Sequence, residues 1–434
     1  MTPPATRPAA RTLTPAPMAG IATGVVLLGA GLGFSRVEIA VIGVVVLVAV
    51  ALALAAGGHP DVSGPHLNLT RAPERTGPDR QRVVPVRVEA VAPGAEIVLV
   101  DATAARHRTE RIALVGPTGH VVVPVHTAHT GDQELLAAEM VAVGADGAWT
   151  APAPARVRLA ARLEPQAVRL PFLPLPPAPA GLTGAHDAAR PGDGGEFRDI
   201  HPFSYGDRLQ RIDWKATARL ARRPGDLFVR RSFATSDVEV ALILDDADDL
   251  TGQVGDWVRG ARGLGLPGSL DVAREAAWSF VCAYLDAGDQ VSFHVLSRPG
   301  QAVRHGSGAR HRQRLRAAIS ATSAQPRMSR TRSPHVARGA LIVLLSTFLD
   351  DEPVRLVRLW RASGHRVVAV DTLPALRGER LRLEEIVASR IVLGLRADRI
   401  DEVRAMGADA LVWDGDAGAR IAALRTMSRR RRVG

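Results

Sequence analysis

The 55 basic residues of this 434-residue chain include a single lysine, Lys215. A phosphate-binding loop of the Walker A kind needs Gly-Lys-Ser/Thr, and Lys215 follows Trp214, so the chain carries no P-loop of its own. Cysteine is as scarce. The lone Cys282 excludes an internal disulfide, and its apolar setting, Ala276 to Leu285, reads as that of a buried structural thiol. With two tyrosines and no basic-aromatic module, nucleic acid is not an expected partner. The 13 histidines lack His-Glu-x-x-His or Cys-x-x-Cys spacing, and there is no Gly-x-Ser-x-Gly elbow. Gly263-Leu-Gly265-Leu-Pro-Gly268 spells a dinucleotide fingerprint, but it lies about 18 residues past its strand and contains Pro267, so it reads as a loop. These absences argue against hydrolase, transferase and redox chemistry, and the chain is expected not to be an enzyme.

What is present is a core-forming composition, 46% hydrophobic and 23% charged, with a net charge of +11 and a pI near 11.1. Such a balance points to anionic surroundings, lipid headgroups or an acidic protein. Two long apolar runs lie near the start, residues 18–34 and 37–58, each able to cross a bilayer core of about 30 Å at about 1.5 Å per residue. Together they far exceed the h-region of a signal peptide, so a two-span hairpin is predicted. Arg7 and Arg11 precede the first run, Arg71, Arg75, Arg80 and Arg82 follow the second, and only Arg36 lies between. The positive-inside rule then places the 1–17 tail and the soluble domains in the cytoplasm of a multi-pass membrane protein.

Residues 83–170 contain short β-branched runs broken by Gly and Pro, the pattern of a small antiparallel β-sandwich. A Pro- and Gly-rich stretch, 171–194, reads as an extended linker. From 237 to 427 apolar strands alternate with helices, among them a basic helix at 310–321 and helices at 352–363, 398–406 and 417–427. That grammar specifies a mostly parallel sheet with helices on both faces, ligands binding beyond the carboxyl ends of its strands. Arg429 to Arg432, in a polybasic 428–434 tail, would be drawn to anionic lipid.

The densest chemistry lies at 195–236. Gly206, Asp207, Arg211, Ile212, Asp213, Trp214, Lys215, Ala216, Ala218 and Arg219 together resemble the signature of the domain of unknown function 58 family. The order of elements from residue 18 onward is similar as well. The resemblance implies a membrane-anchored protein with a β-rich region, a C-terminal von Willebrand factor A-like domain, and a MoxR-type AAA+ ATPase as partner. His201-Pro-Phe203 departs from the family's Arg-Glu-Tyr.

Read physically, Gly206-Asp207 is a turn, and a helix continuing from it would align Asp207, Arg211, Lys215 and Arg219 on one i,i+4 ridge beside Trp214. Such a ridge is either a recognition surface with an aromatic anchor or an internal lock pairing these cations with Asp199, Asp207 and Asp213. The von Willebrand A resemblance also implies a Mg²⁺ site. Here its first loop reads Asp245-x-Ala247-x-Asp249, and Ser346-Thr347 stands where Ser-Asp is expected, so Asp245 and Asp249 are candidate ligands of a degenerate site. The expected function is a non-enzymatic membrane-anchored adaptor for a cytosolic ATPase or its client. The alternative is a metal-dependent ligand-binding receptor using the Asp245–Asp249 cluster.

Overall fold

The computed structural model describes residues 12–55, 65–77, 80–104, 108–144, 147–151, 156–176, 186–204, 209–223, 225–236, 238–259, 265–325, 333–377 and 381–429. They form two compact units, one of residues 1–128 with 133–161, the other of 129–132 with 162–434.

In the first unit β1 (Thr12–Leu13) precedes two apolar helices, α1 (Pro15–Gly33) and α2 (Val37–Ala55). Each has 19 residues, about 28 Å of helix, and is long and apolar enough to cross a membrane. A proline opens α1, where its missing N–H costs nothing. Glycine sets how closely the two helices approach. A Cβ on Gly31 would stand 2.3 Å from the backbone nitrogen of Ala40, and one on Gly43 2.6 Å from that of Leu28. Small residues at the contact are what lets apolar helices gain packing energy without a hydrophobic driving force between them.

The rest of this unit is antiparallel sheet: β2 (His66–Arg71), β3 (Arg75–Thr76), β4 (Arg82–Val91), β5 (Ile97–Ala104), β6 (Arg108–Val115), β7 (Thr118–Thr127), β8 (Gly131–Val143), β9 (Trp149–Ala151) and β10 (Val157–Leu163). One sheet runs β1-β9-β8-β5-β6 with β10 on β8, and the other runs β2-β4-β3 with β7 on β4. Alternation decides the faces: Val84, Val86, Val88 and Ala90 of β4 are buried, as are Val98, Val100 and Ala102 of β5.

The second unit contains β11 (His186–Pro202), α3 (Trp214–Leu220), β12 (Phe228–Ser236), β13 (Glu239–Leu244), α4 (Val254–Arg259), α5 (Ser269–Asp286), β14 (Gln290–Val295), β15 (Val303–Gly306), α6 (Gly308–Ser320), β16 (Leu341–Ser346), α7 (Glu352–Ala362), β17 (Arg366–Asp371), α8 (Leu383–Ala405), β18 (Asp409–Val412) and α9 (Ala417–Arg429). β11 and β12 form a separate antiparallel pair. The main sheet has the order β15-β14-β13-β16-β17-β18, parallel throughout except for the edge strand β15.

Both faces are covered, as the near-continuous apolar strands predicted. Val240, Leu242 and Leu244 pack with α5, α6 and α9 around Phe280, Tyr284 and Trp413. Ala241 and Ile243 pack with α7 and α8 around Trp360 and Phe348.

Three parts differ from the sequence expectation. The stretch read as linker from 171 lies, up to Leu175, on the core: Leu170 is buried, Phe172, Leu173 and Leu175 pack beside it, and the Tyr284 hydroxyl donates to the Pro174 carbonyl at 2.6 Å. Proline-rich backbone has carbonyls to spare, and buried donors take them. β11 also begins inside that stretch, at His186. Finally, α8 extends 15 residues N-terminal to the helix expected from Asp398, because a β-branched run broken by Gly394 carries no helical alternation of polar residues.

Candidate functional site

The chain leaves β13 for β14 on one side and returns to β16 on the other. The sheet therefore has its topological switch point between β13 and β16, and in open α/β sheets ligands bind beyond the carboxyl ends at such a point. Asp245 follows β13 and continues the ladder, its amide donating to the Leu345 carbonyl at 2.9 Å. Its carboxylate accepts from the Ser346 hydroxyl at 2.7 Å and from the Ala247 amide at 3.3 Å. Asp248 accepts from Thr347 Oγ1 at 3.1 Å. Asp246, fully buried, accepts from the amide and hydroxyl of Ser297. Asp249 turns toward the start of α5, where it accepts from the Leu270 amide at 3.4 Å. A Cβ on Gly268 would lie 2.2 Å from an Asp249 oxygen, so that approach requires glycine.

Next to these groups Phe348 is held at φ 55°, a left-handed conformation that a bulky residue adopts only when its surroundings impose it. Its side chain is buried and its amide donates to Ser346 Oγ at 3.0 Å. Arg396 of α8 reaches the same edge, donating to the Thr347 carbonyl at 2.7 Å and pairing with Asp371. Burial raises the Asp371 carboxyl above its ordinary range, more than the Arg396 charge lowers it. This sheet edge is thus rich in oxygen, but hydroxyls and amides engage much of it. Asp245 and Asp249 are not gathered into a ligand set: among the described residues no group of three His, Cys, Asp or Glu side chains is placed to hold a metal ion.

Of the signature, Gly206 and Asp207 lie outside the described residues, as do the side chains of Asp199 and Arg211. The continuous ridge predicted from Asp207 through Arg219 is interrupted. Leu209–Arg211 form a 3-10 turn and Asp213 is extended, so α3 starts only at Trp214. Asp213 is its N-cap, accepting from the amides of Lys215 at 3.0 Å and Ala216 at 2.9 Å. This carboxylate satisfies orphan helix donors.

The rest of the signature seats the short helix on β12. The Asp213 amide donates to the Phe228 carbonyl at 2.9 Å, the Phe228 amide to Thr217 Oγ1 at 3.0 Å, and Ala216 is buried. Lys215 and Arg219 remain one turn apart and exposed, and Trp214 beside them is 68% exposed. The signature therefore does two things: Asp213, Ala216 and Thr217 fix the backbone, and Trp214, Lys215 and Arg219 face solvent.

No family model, no curated protein and no solved structure matches the chain.

One cluster escaped the sequence reading. Asp271, at the start of α5, is buried and accepts at one oxygen from the amide and hydroxyl of Thr130, at 2.7 and 2.8 Å, and from Arg274 at 3.0 Å. Its other oxygen meets His129 Nδ1 and the Gly268 amide, both at 2.8 Å. Burial pushes the Asp271 carboxyl up, but His129, Arg274 and the Thr130 amide outweigh it and hold the group well below the usual carboxylate range. The available signal was an acid and an arginine three residues apart near the start of a largely apolar helix. Arg366 is the second such group, bridging Asp409, the Leu175 carbonyl and the Met427 carbonyl, each within 2.7 Å.

Proposed function

We propose that this protein is a non-enzymatic adaptor, anchored in a bilayer by α1 and α2, whose von Willebrand A-like α/β domain and Asp-Trp-Lys signature present a docking surface to a MoxR-type AAA+ ATPase or its client. The observation that carries the proposal is the exposed Trp214 on a helix whose start is fixed by the Asp213 cap. An aromatic ring held rigidly in water is costly to leave uncovered, and residues of this type dominate interface hot spots. Lys215 and Arg219 flank it with positive charge, which suits an acidic partner surface. The placement of arginines around the apolar runs supports a cytosolic orientation.

The test is co-purification of the full chain with a MoxR-type ATPase. Trp214→Ala is expected to weaken capture by tenfold or more, in line with about 2 kcal/mol for a hot-spot aromatic, without shifting the unfolding midpoint. Unchanged capture would leave the signature a purely structural element. The receptor alternative draws on the oxygen-rich sheet edge at the switch point. It is the weaker reading because Asp245 and Asp249 are committed to separate donors. Titration with Mg²⁺ tests it: tight binding lost in Asp245→Ala would favour the receptor.

A further inference from the structure

The helices that cover the main sheet differ in charge. On one side α7 and α8 mix acids with arginines, and four of the arginines are paired: Arg355 with Glu352, Arg358 with Glu402, Arg399 with Asp351 and Arg404 with Asp401. On the other side α6 and α9 contain no acid, and the acids of that face, Asp271, Glu275 and Asp286, belong to α5. Helix α6 alone carries Arg310, Arg312, Arg314 and Arg316.

Helical geometry divides these four. Leu315 and Ile319 point into the core, so Arg310 and Arg314 lie on one flank, Arg312 and Arg316 on the other, and exposed Gln313 at the outward crest. Among the described residues Arg310 and Arg314 have no carboxylate within ion-pairing distance. Arg312 pairs with Asp286 and Arg316 with Glu164, both acids more than half exposed, where such pairs are weak and exchangeable. Beside this second flank lies an open groove of about 500 Å³ between α5 and α6, with Arg312, Arg316 and Gln313 along its rim and Trp278 and Leu285 in its wall. The Arg316 guanidinium sits 5.3 Å from the Trp278 ring centroid, which orients it without neutralising it. A groove with guanidinium forks at its rim matches a phosphate group.

We infer that the α6 face is a docking surface for the headgroups of anionic phospholipids. Guanidinium pairs on both flanks of the crest let the helix rest on a plane of phosphates. The tether formed by α1 and α2 keeps such a plane at high effective concentration. The inference takes the bilayer anchoring proposed above as given and names a second, reversible contact with the same membrane.

The experiment uses the full chain in lipid nanodiscs, with Cys282→Ser removing the only thiol and Gln313→Cys carrying a fluorophore. Recovery of the chain in the disc fraction reports on the anchor. Quenching by a headgroup-spin-labelled lipid reports on α6 alone. Quenching is expected to be several-fold stronger in discs containing phosphatidylglycerol than in phosphatidylcholine discs, and to fall with added salt. Arg310→Gln and Arg314→Gln are each expected to weaken the docked state about fivefold. Arg355→Gln, on the opposite face, should leave it unchanged. Equal quenching in neutral and anionic discs, or equal loss from the Arg355 control, overturns the inference. Inorganic phosphate producing the same label response in neutral discs overturns it in favour of a soluble phosphate ligand.

Discussion

The Asp271 cluster allows a worked perturbation. Asp271→Ala deletes the acceptor of five hydrogen bonds, from His129, Thr130 (amide and hydroxyl), Gly268 and Arg274. Arg274, itself buried, keeps the Thr322 carbonyl at 2.6 Å and the Thr130 carbonyl at 3.1 Å but loses its counter-charge. Removing one partner of a buried ion pair costs about 3–5 kcal/mol, because the remaining charge is desolvated without compensation. Against a total stability of about 5–15 kcal/mol this is a large fraction. At about 2–4 °C per kcal/mol for a unit of this size, the apparent Tm should fall by about 6–20 °C.

The assay is thermal unfolding of the full chain in detergent, followed by tryptophan fluorescence. The double variant Asp271→Leu with Arg274→Met removes both charges and should recover most of the loss. The pH dependence has a definite sign. Asp271 is held below its unfolded value, so its stabilisation is fully present above about pH 4 and is lost as pH falls through the lower folded value. The gap between wild type and Asp271→Ala should therefore be constant in neutral solution and close only in acid. A single-variant Tm loss below about 2 °C, or a double variant no better than the single, would refute this reasoning.

Two further outcomes follow from local geometry. Asp213→Ala removes the α3 cap, and a loss of about 1 kcal/mol in local stability is expected, read as faster amide exchange at Lys215 and Ala216. Gly43→Leu places a side chain where backbone atoms of Leu28 and Gly24 lie within 3 Å, so the hairpin must separate. Reduced recovery in the membrane fraction, with Gly29→Leu as a control that meets nothing within 4 Å, checks it.

Much of the α/β unit was legible because its determinants are local and repetitive. Val240 to Leu244 and Ala340 to Leu345 are apolar at every position, and only a strand covered on both faces tolerates that. The start of α5 and the length of α7 were likewise marked by amphipathic spacing. The N-terminal half of α8 was not legible, since Ile391-Val-Leu-Gly-Leu395 has the composition of a strand and its helical state is set by what surrounds it. The signature was visible as a cluster of unusual residues, but its division of labour was not. An aspartate before Trp-Lys-Ala reads equally well as a partner for a cation and as a cap, and only the backbone conformation at Asp213 decides between them.

By itself the sequence determined two apolar helices, a β-rich region and a sheet wrapped in helices, because hydrophobic pattern and chain length are properties of neighbours along the chain. Tertiary structure alone decided which charges are neutralised and which are not. Asp271 meets His129 across 142 residues and Arg366 meets Leu175 across 191, whereas Arg310 and Arg314 meet no acid among the described residues. Coulomb and hydrogen-bond energies depend on distance in space, and folding sets that distance.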